Sequence, residues 1–353
     1  MKITNKDLIQ SYILTTAKYD YSVYEKRILY RIIELMQDYT QGKKLNERYS
    51  ISKTMFDDVD IIMPSSAFLK DDKDQNYTRV KEALLSLNKK VIQYEDDKSW
   101  GALNLIERPE VDKLGDYVGF RVSPKIAKAF LDFSKGFSKY ELVTAMQFES
   151  VYAMRFYELL SGQKQPITYS IENLKIMFQI EDKYSRINDF FRYVIDPAKK
   201  ELDKNSPYSF EYKPLKTGRK ITAIKFYPVY QPQNRDNSIE GRKLQKRTSL
   251  NWDLDKIIIN YLKENYIFSE EEIKNNRELF TAAQNKKDFD LLYFLSEQKR
   301  NAASKKNPKG WIVNAIKKQI GEIESVKTEK KSKSKQLDLE NMIAEIQSEK
   351  KIK

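Results

Sequence analysis

Three side chains on one face of a sequence-predicted helix, Arg186, Asn188 and Arg192, carry the donors that base edges in a major groove call for. A guanidinium fork suits the paired acceptors of guanine, and a carboxamide matches the donor and acceptor of adenine. Farther along, Lys213, Lys216, Arg219 and Lys220 gather on or beside a predicted hairpin tip, with no acid between Lys213 and Lys220. Flexible cations there reach phosphate oxygens or a minor groove. Lys199, on the outward side of the same helix, completes the candidate DNA-binding set. The plainer alternatives are a solvated helix face and a tip charged for solubility, but a helix followed at once by a basic wing favours a DNA-reading surface.

The element that positions these groups runs from residue 183. At 100° per residue, Ile187, Phe190, Phe191, Val194, Ile195, Ala198 and Leu202 fall on one side. Ser185, Asn188, Asp189, Arg192, Asp196 and Lys199 fall on the other, so one face packs and one faces out. Pro197 removes a hydrogen bond from the ladder and is expected to kink the helix, which leaves its N-terminal half the part that projects. Tyr208–Lys213 and Lys220–Tyr227 then alternate in the β sense around Lys216–Lys220, where Gly218 supplies the permissive turn backbone.

The chain has 353 residues, 40% hydrophobic and 12% aromatic, enough for two or three domains with real cores. Its net charge of +13 favours a polyanionic partner, and residues 213–247 hold ten Lys and Arg against two acids, so the excess is concentrated. It contains neither cysteine nor histidine. That removes zinc fingers, His-based triads, cysteine nucleophiles and the His-metal-His nicking enzymes. None of the ten glycines sits in a G-x-x-x-x-G-K loop, which argues against ATP hydrolysis, and no cofactor site is expected. Without a membrane-length apolar run or a signal-peptide core at the N-terminus, a cytoplasmic location is expected, with no membrane partner.

A pattern recurs along the chain. Residues 5–16 predict a short helix, and Val23–Tyr39 a clearer one with Ile28, Leu29, Ile32, Ile33, Leu35 and Met36 on its apolar face. Tyr49-Ser50-Ile51 opens a short helix-like segment, a second helix comes at Tyr77–Lys90, and β-like segments run from Val91 to Val122. Tyr169-Ser170-Ile171 opens another short helix to Phe178, before the long helix and the hairpin. Near-equal spacing suggests two copies of one winged helix-turn-helix module, with Ser50 and Ser170 as helix N-caps. Helices at Ala127–Phe133 and Glu149–Ser161 lie between, the latter packing through Val151, Met154, Phe156, Leu159 and Leu160 to couple the modules tightly.

The expected fold is therefore α+β: two tandem winged helix-turn-helix domains, 1–145 and 146–230, then a helical C-terminal region. Residues 231–251 are polar and basic without an apolar period and predict a linker. Helices are predicted across 252–324, with a Ser269–Glu272 capping box and a start at Asn307-Pro308 whose apolar face is Trp311, Ile312, Ala315, Ile316 and Ile320. Residues 325–353 predict a disordered basic tail with a short helix at Leu339–Ile346.

Other constellations are weaker. In the first module Arg79, Lys81 and Lys89 share their helix with Glu82, so that module is expected to bind DNA weakly or to serve association. The pairs Asp58/Asp60, Asp253/Asp255 and Asp288/Asp290 are of a type that holds Mg²⁺ for nucleotide transfer, yet each lacks a third acid on a convincing strand, and no metal site is expected.

YSVYEKRILYRIIEL, SVYAMRFYELL, ITYSIENLKIMF, FFRYVIDPAKKEL and YKPLKTGRKITAIKF together resemble the theta-type plasmid replication initiators, the Rep proteins that bind iterons, over roughly residues 5–230. The resemblance implies a second domain that is the main iteron reader. It implies a first domain that joins two subunits in a repressing dimer, in equilibrium with an initiating monomer, and recruitment of the host initiator and replicative helicase. By position, Arg186 and Arg192 match family basic residues in the recognition helix, and Arg219 and Lys220 match the wing. Phe191 and Tyr193 depart from it, standing where more basic relatives carry arginine. The expected function is non-enzymatic initiation at directly repeated double-stranded origin DNA. The rivals are a winged-helix transcriptional repressor and a metal-dependent primase or nicking enzyme.

Overall fold

A computed structural model describes residues 3–71, 73–95, 100–112, 114–133, 136–248 and 254–321. The chain divides into two compact units, within 1–248 and 249–353.

The first module runs β1 (Asp7–Ser11), α1 (Tyr12–Thr15), α2 (Val23–Thr40), β2 (Ser50–Lys53), β3 (Val59–Pro64), a 3-10 turn (Ser65–Phe68), α3 (Tyr77–Lys89), β4 (Val91–Glu95), β5 (Trp100–Asn104), β6 (Glu107–Val111), β7 (Tyr117–Val122), α4 (Pro124–Leu131), β8 (Phe137–Glu141), α5 (Leu142–Gln147) and α6 (Val151–Leu160). A capping box starts α2: the Ser22 hydroxyl accepts from the Glu25 amide at 3.2 Å, and the Glu25 carboxylate accepts from the Ser22 amide at 2.6 Å. The helix is buried nearly all round, its apolar face together with Glu25, Lys26, Arg27 and Arg31.

Two readings of this module are corrected. Residues 5–16 are not one helix: Asp7–Ser11 is a strand paired antiparallel with β8, and only Tyr12–Thr15 turns helically. Tyr49-Ser50-Ile51 does not open a helix, and Ser50 caps none. Ser50–Lys53 is the edge of the sheet β2-β3-β7-β6, because Val59, Ile61 and Met63 alternate into the core while Asp60 and Ile62 face outward. Between β3 and α3 the only helical turn among the described residues is the 3-10 turn Ser65–Phe68.

The second module keeps the full order: β9 (Ile167–Ser170), α7 (Ile171–Phe178), α8 (Ile187–Phe190), α9 (Asp196–Asn205), β10 (Tyr208–Thr217) and β11 (Lys220–Tyr230), with sheet order β10-β11-β9. Ser170 caps α7, accepting from the Asn173 amide at 3.0 Å. α8 and α9 are one continuous helix joined by a π-helical turn, Phe191–Ile195. Pro197 thus acts through the local ladder: the backbone stays helical on both sides of it, and the wider turn accommodates the missing donor.

α6 serves both modules. Tyr157 and Glu158 enter the first module, where the Tyr157 ring meets Tyr140 and Phe148. Phe156 enters the second, 5.3–5.5 Å from the rings of Phe178, Phe210 and Phe226. Between them the buried Arg155 guanidinium donates to the carbonyls of Ala17 at 2.9 Å and Met177 at 3.2 Å, one from each module. Glu201 of α9 accepts from the amides of Glu149 and Ser150 at the start of α6. One hydrophobic core runs through both modules.

The stretch after the hairpin is not a bare linker. It forms a 3-10 turn (Pro232–Asn234) and α10 (Asn237–Thr248). The Gln231 amide donates to the carbonyls of Leu202 and Ser206 in the second module, while the Arg235 guanidinium meets Asp7 and Glu141 of the first, each at 2.8 Å. Burial alone would lower the Arg235 pKa, but Asp7, Glu240 and Glu141 hold it above its ordinary value. The segment straps the two modules together. Its sequence hides this because Ile239 is its one buried apolar residue among those described, and the fastening charges lie far away in the chain.

The second unit comprises α11 (Lys256–Tyr266), α12 (Glu270–Asn275), α13 (Arg277–Asn285), α14 (Leu291–Ala303) and a helix over 308–321. Ser269 and Glu272 form the expected capping box, and Asn307 caps the last helix through the Gly310 amide at 2.9 Å. Ile312 and Ile316 are its buried residues. The tail and its short helix lie outside the described residues.

Candidate nucleic-acid interface

The second module presents its outward helix face as its packed face dictates. Phe190, Val194, Ile195, Ala198 and Leu202 are buried, which turns Arg186, Asn188 and Arg192 to solvent. Arg186 stands at the helix start with its side chain unused for capping. At the other end of the module, Thr217 pairs with Lys220 across the two-residue loop Gly218-Arg219. Gly218 has φ +62°, the left-handed conformation that a loop with glycine first requires. A bulge at Leu215/Lys216 sharpens the twist just before the tip.

Lys213, Lys216, Arg219 and Lys220 are all exposed and make no ion pair among the described residues. Leaving them unpaired keeps their full charge available, the condition for counterion release on a polyanion.

Lys199 does not join them. Its ammonium pairs with Asp203 at 2.7 Å and Glu211 at 2.8 Å, tying α9 to the first wing strand. Burial opposes its charge, yet these two hydrogen bonds raise its pKa overall. We expect Lys199→Ala to leave DNA affinity within about twofold of the parent, since no free cation is lost, and to lower stability by at most about 1 kcal/mol. A gel-shift titration beside a thermal melt checks both.

Helix and wing are held together by groups that sequence reading passed over. The Phe191 and Tyr212 rings stack, 5.6 Å apart and 17° from parallel, and the Tyr212 hydroxyl donates to Asp196 at 2.6 Å. Ser209 donates to Asp203 beside them. Burial first, then the bond to Asp196, pushes the Tyr212 hydroxyl above its usual pKa. The available signal was aromatic residues interleaved among the cations of a recognition helix.

Residues 7–161 match a family model described as initiator replication protein, WH1, and residues 170–228 match one described as initiator Rep protein, WH2. Together they span more than half of the chain. The chain belongs to the initiator Rep family. It shares its fold with a solved structure described as Pi initiator protein in complex with iteron DNA, at 18% identity and a TM-score of 0.50, over 64% of this chain and 98% of that one.

In this Rep initiator the shared helix α6 falls within the WH1 match, and the helix α8–α9 and nearly all of the wing fall within the WH2 match. The helical unit after 254 lies beyond both. In two of the acidic pairs an acid has a structural partner: Arg121 clamps Asp60 at 2.6 and 2.8 Å, and Asp290 caps α14 through the Tyr293 amide at 3.1 Å. Asp253 lies outside the described residues. No helix among those described is long and apolar enough to cross a membrane.

Proposed function

We propose that this Rep initiator starts theta replication of a plasmid by binding directly repeated origin DNA, as the Pi initiator structure is described with iteron DNA. The observation that carries the reading is a WH2 recognition helix and wing tip whose cations stay exposed and unpaired, while Lys199, which looked equivalent in sequence, is neutralised. The helix enters the major groove with Arg186, Asn188 and Arg192 toward the bases. The wing cations Lys213, Lys216, Arg219 and Lys220 hold phosphates.

The first module serves association and auxiliary DNA contact, a homodimer represses the initiator's own gene, and the monomer recruits host initiator and helicase. The protein contributes binding energy and no covalent step. The ion pair of Asp60 with Arg121 supports this, because a clamped carboxylate is a poor Mg²⁺ ligand.

Arg192→Ala is expected to weaken binding to a cognate repeat by about 1–3 kcal/mol and to reduce discrimination against scrambled DNA. Fluorescence-anisotropy titrations on both duplexes measure this, and an unchanged ratio would remove Arg192 from base reading.

A further inference from the structure

We propose that Tyr193 is a positioning residue that fixes the Arg192 guanidinium for base reading, with Tyr184 bracing it. The proposal rests on the reading of α8–α9 as the recognition helix and adds what makes its arginine selective. An exposed arginine has many rotamers, and ordering it on DNA costs conformational entropy. Here the guanidinium already lies over the Tyr193 ring, 5.3 Å from its centroid, within cation–π range.

Tyr193 is itself 49% exposed, yet its ring stacks on Tyr184, 5.9 Å away and 25° from parallel. Both Arg192 and Tyr193 fall in the π-helical turn, whose wider winding brings successive side chains closer around the axis.

Tyr184 is the unusual member. Its φ is +55°, a conformation that a bulky side chain rarely adopts and that persists only where surroundings impose it. The surroundings do so. The Lys175 ammonium spans the turn, donating to the carbonyls of Lys183 and Tyr184, each at 2.9 Å. A glycine would fit this turn without strain. The tyrosine there places a ring under Tyr193, and the chain of contacts ends on Arg192.

The full-length protein should be titrated against a duplex carrying one direct repeat from beside its gene and against a scrambled duplex of equal composition. Tyr193→Ala should reduce the ratio of the two affinities by about three- to tenfold while leaving affinity for scrambled DNA within about twofold. Tyr193→Phe keeps the ring and should restore the parent ratio. Tyr184→Gly should lose discrimination as Tyr193→Ala does, and since the ring also packs against the core while glycine relieves the left-handed backbone, a melt run beside it should show a fold retained with at most a modest drop in melting temperature.

Arg192→Ala combined with Tyr193→Ala should be no worse than Arg192→Ala alone. Additive losses, a Tyr193→Phe as poor as Tyr193→Ala, or a fully discriminating Tyr184→Gly each overturn the positioning role. A parent protein that binds both duplexes equally overturns the recognition helix itself, and the proposal with it.

Discussion

Glu158→Ala is expected to destabilise the two-module unit by roughly 3–5 kcal/mol, the cost of leaving a buried charge without its partner. The Glu158 carboxylate, fully buried on α6, meets the Lys26 ammonium of α2 at 2.5 Å and accepts from the Tyr30 hydroxyl at 2.7 Å. The Lys26 ammonium also lies near the faces of Tyr21 and Tyr30, at 5.0 and 5.2 Å. Burial drives the Lys26 pKa down and that of the Tyr30 hydroxyl up, so the pair lives on its mutual contact and not on solvent.

Removing the carboxylate strands the buried ammonium, whereas Lys26→Met with Glu158→Leu and Tyr30→Phe removes both charges and the hydroxyl that would lose its acceptor, and should recover most of the loss. Urea unfolding followed by tyrosine fluorescence reads the difference. A single-variant loss below about 1 kcal/mol would show that the pair does not hold α2 to α6. Because the neighbouring Phe156 anchors the second module to the same helix, loosening α6 is expected to loosen the DNA-reading surface as well.

The largest effect on DNA should come from the wing. With Lys216, Arg219 and Lys220 all changed to alanine, the slope of log affinity against log salt should become shallower by about 2 to 3, close to one unit for each phosphate contact removed. Cognate and scrambled duplexes should weaken alike, because phosphate contacts carry no sequence. These side chains are exposed at a hairpin tip and pack against nothing that a melt would detect, so stability should be unchanged. A slope equal to that of the parent would place the wing away from the backbone. A selective loss on cognate DNA would instead make the wing a base reader.

Local signals were legible in the sequence. Ser170, the Ser269–Glu272 box and Asn307-Pro308 each mark a helix start with chemistry contained in three or four residues. The recognition helix was legible through its apolar period and the hairpin through its alternation around Gly218. What failed was non-local. Tyr49-Ser50 and Tyr169-Ser170 both lie at strands, and only the next element differs, a second hairpin strand in one module and a helix in the other.

Ile62, placed between the inward Ile61 and Met63, obscured the period of two that marks β3. Residues 231–251 read as a linker because the docking of their described part, 231–248, depends on Arg235 finding Asp7 and Glu141, which no window of sequence contains. Lys199 was indistinguishable from a free cation until folding set Glu211 beside it. Phe191 and Tyr193 read as lost arginines, whereas in the structure they stack on Tyr212 and Tyr184.

The central claim is that the second winged helix reads directly repeated DNA through free cations and an exposed helix face. It is tested most directly by titrating the full-length protein against its flanking direct repeats and against a scrambled duplex across a salt series. The account predicts binding to the repeats tighter by about 10³-fold or more, with both affinities falling steeply as salt rises. Equal affinity for the two duplexes, or affinity that does not change with salt, would contradict it.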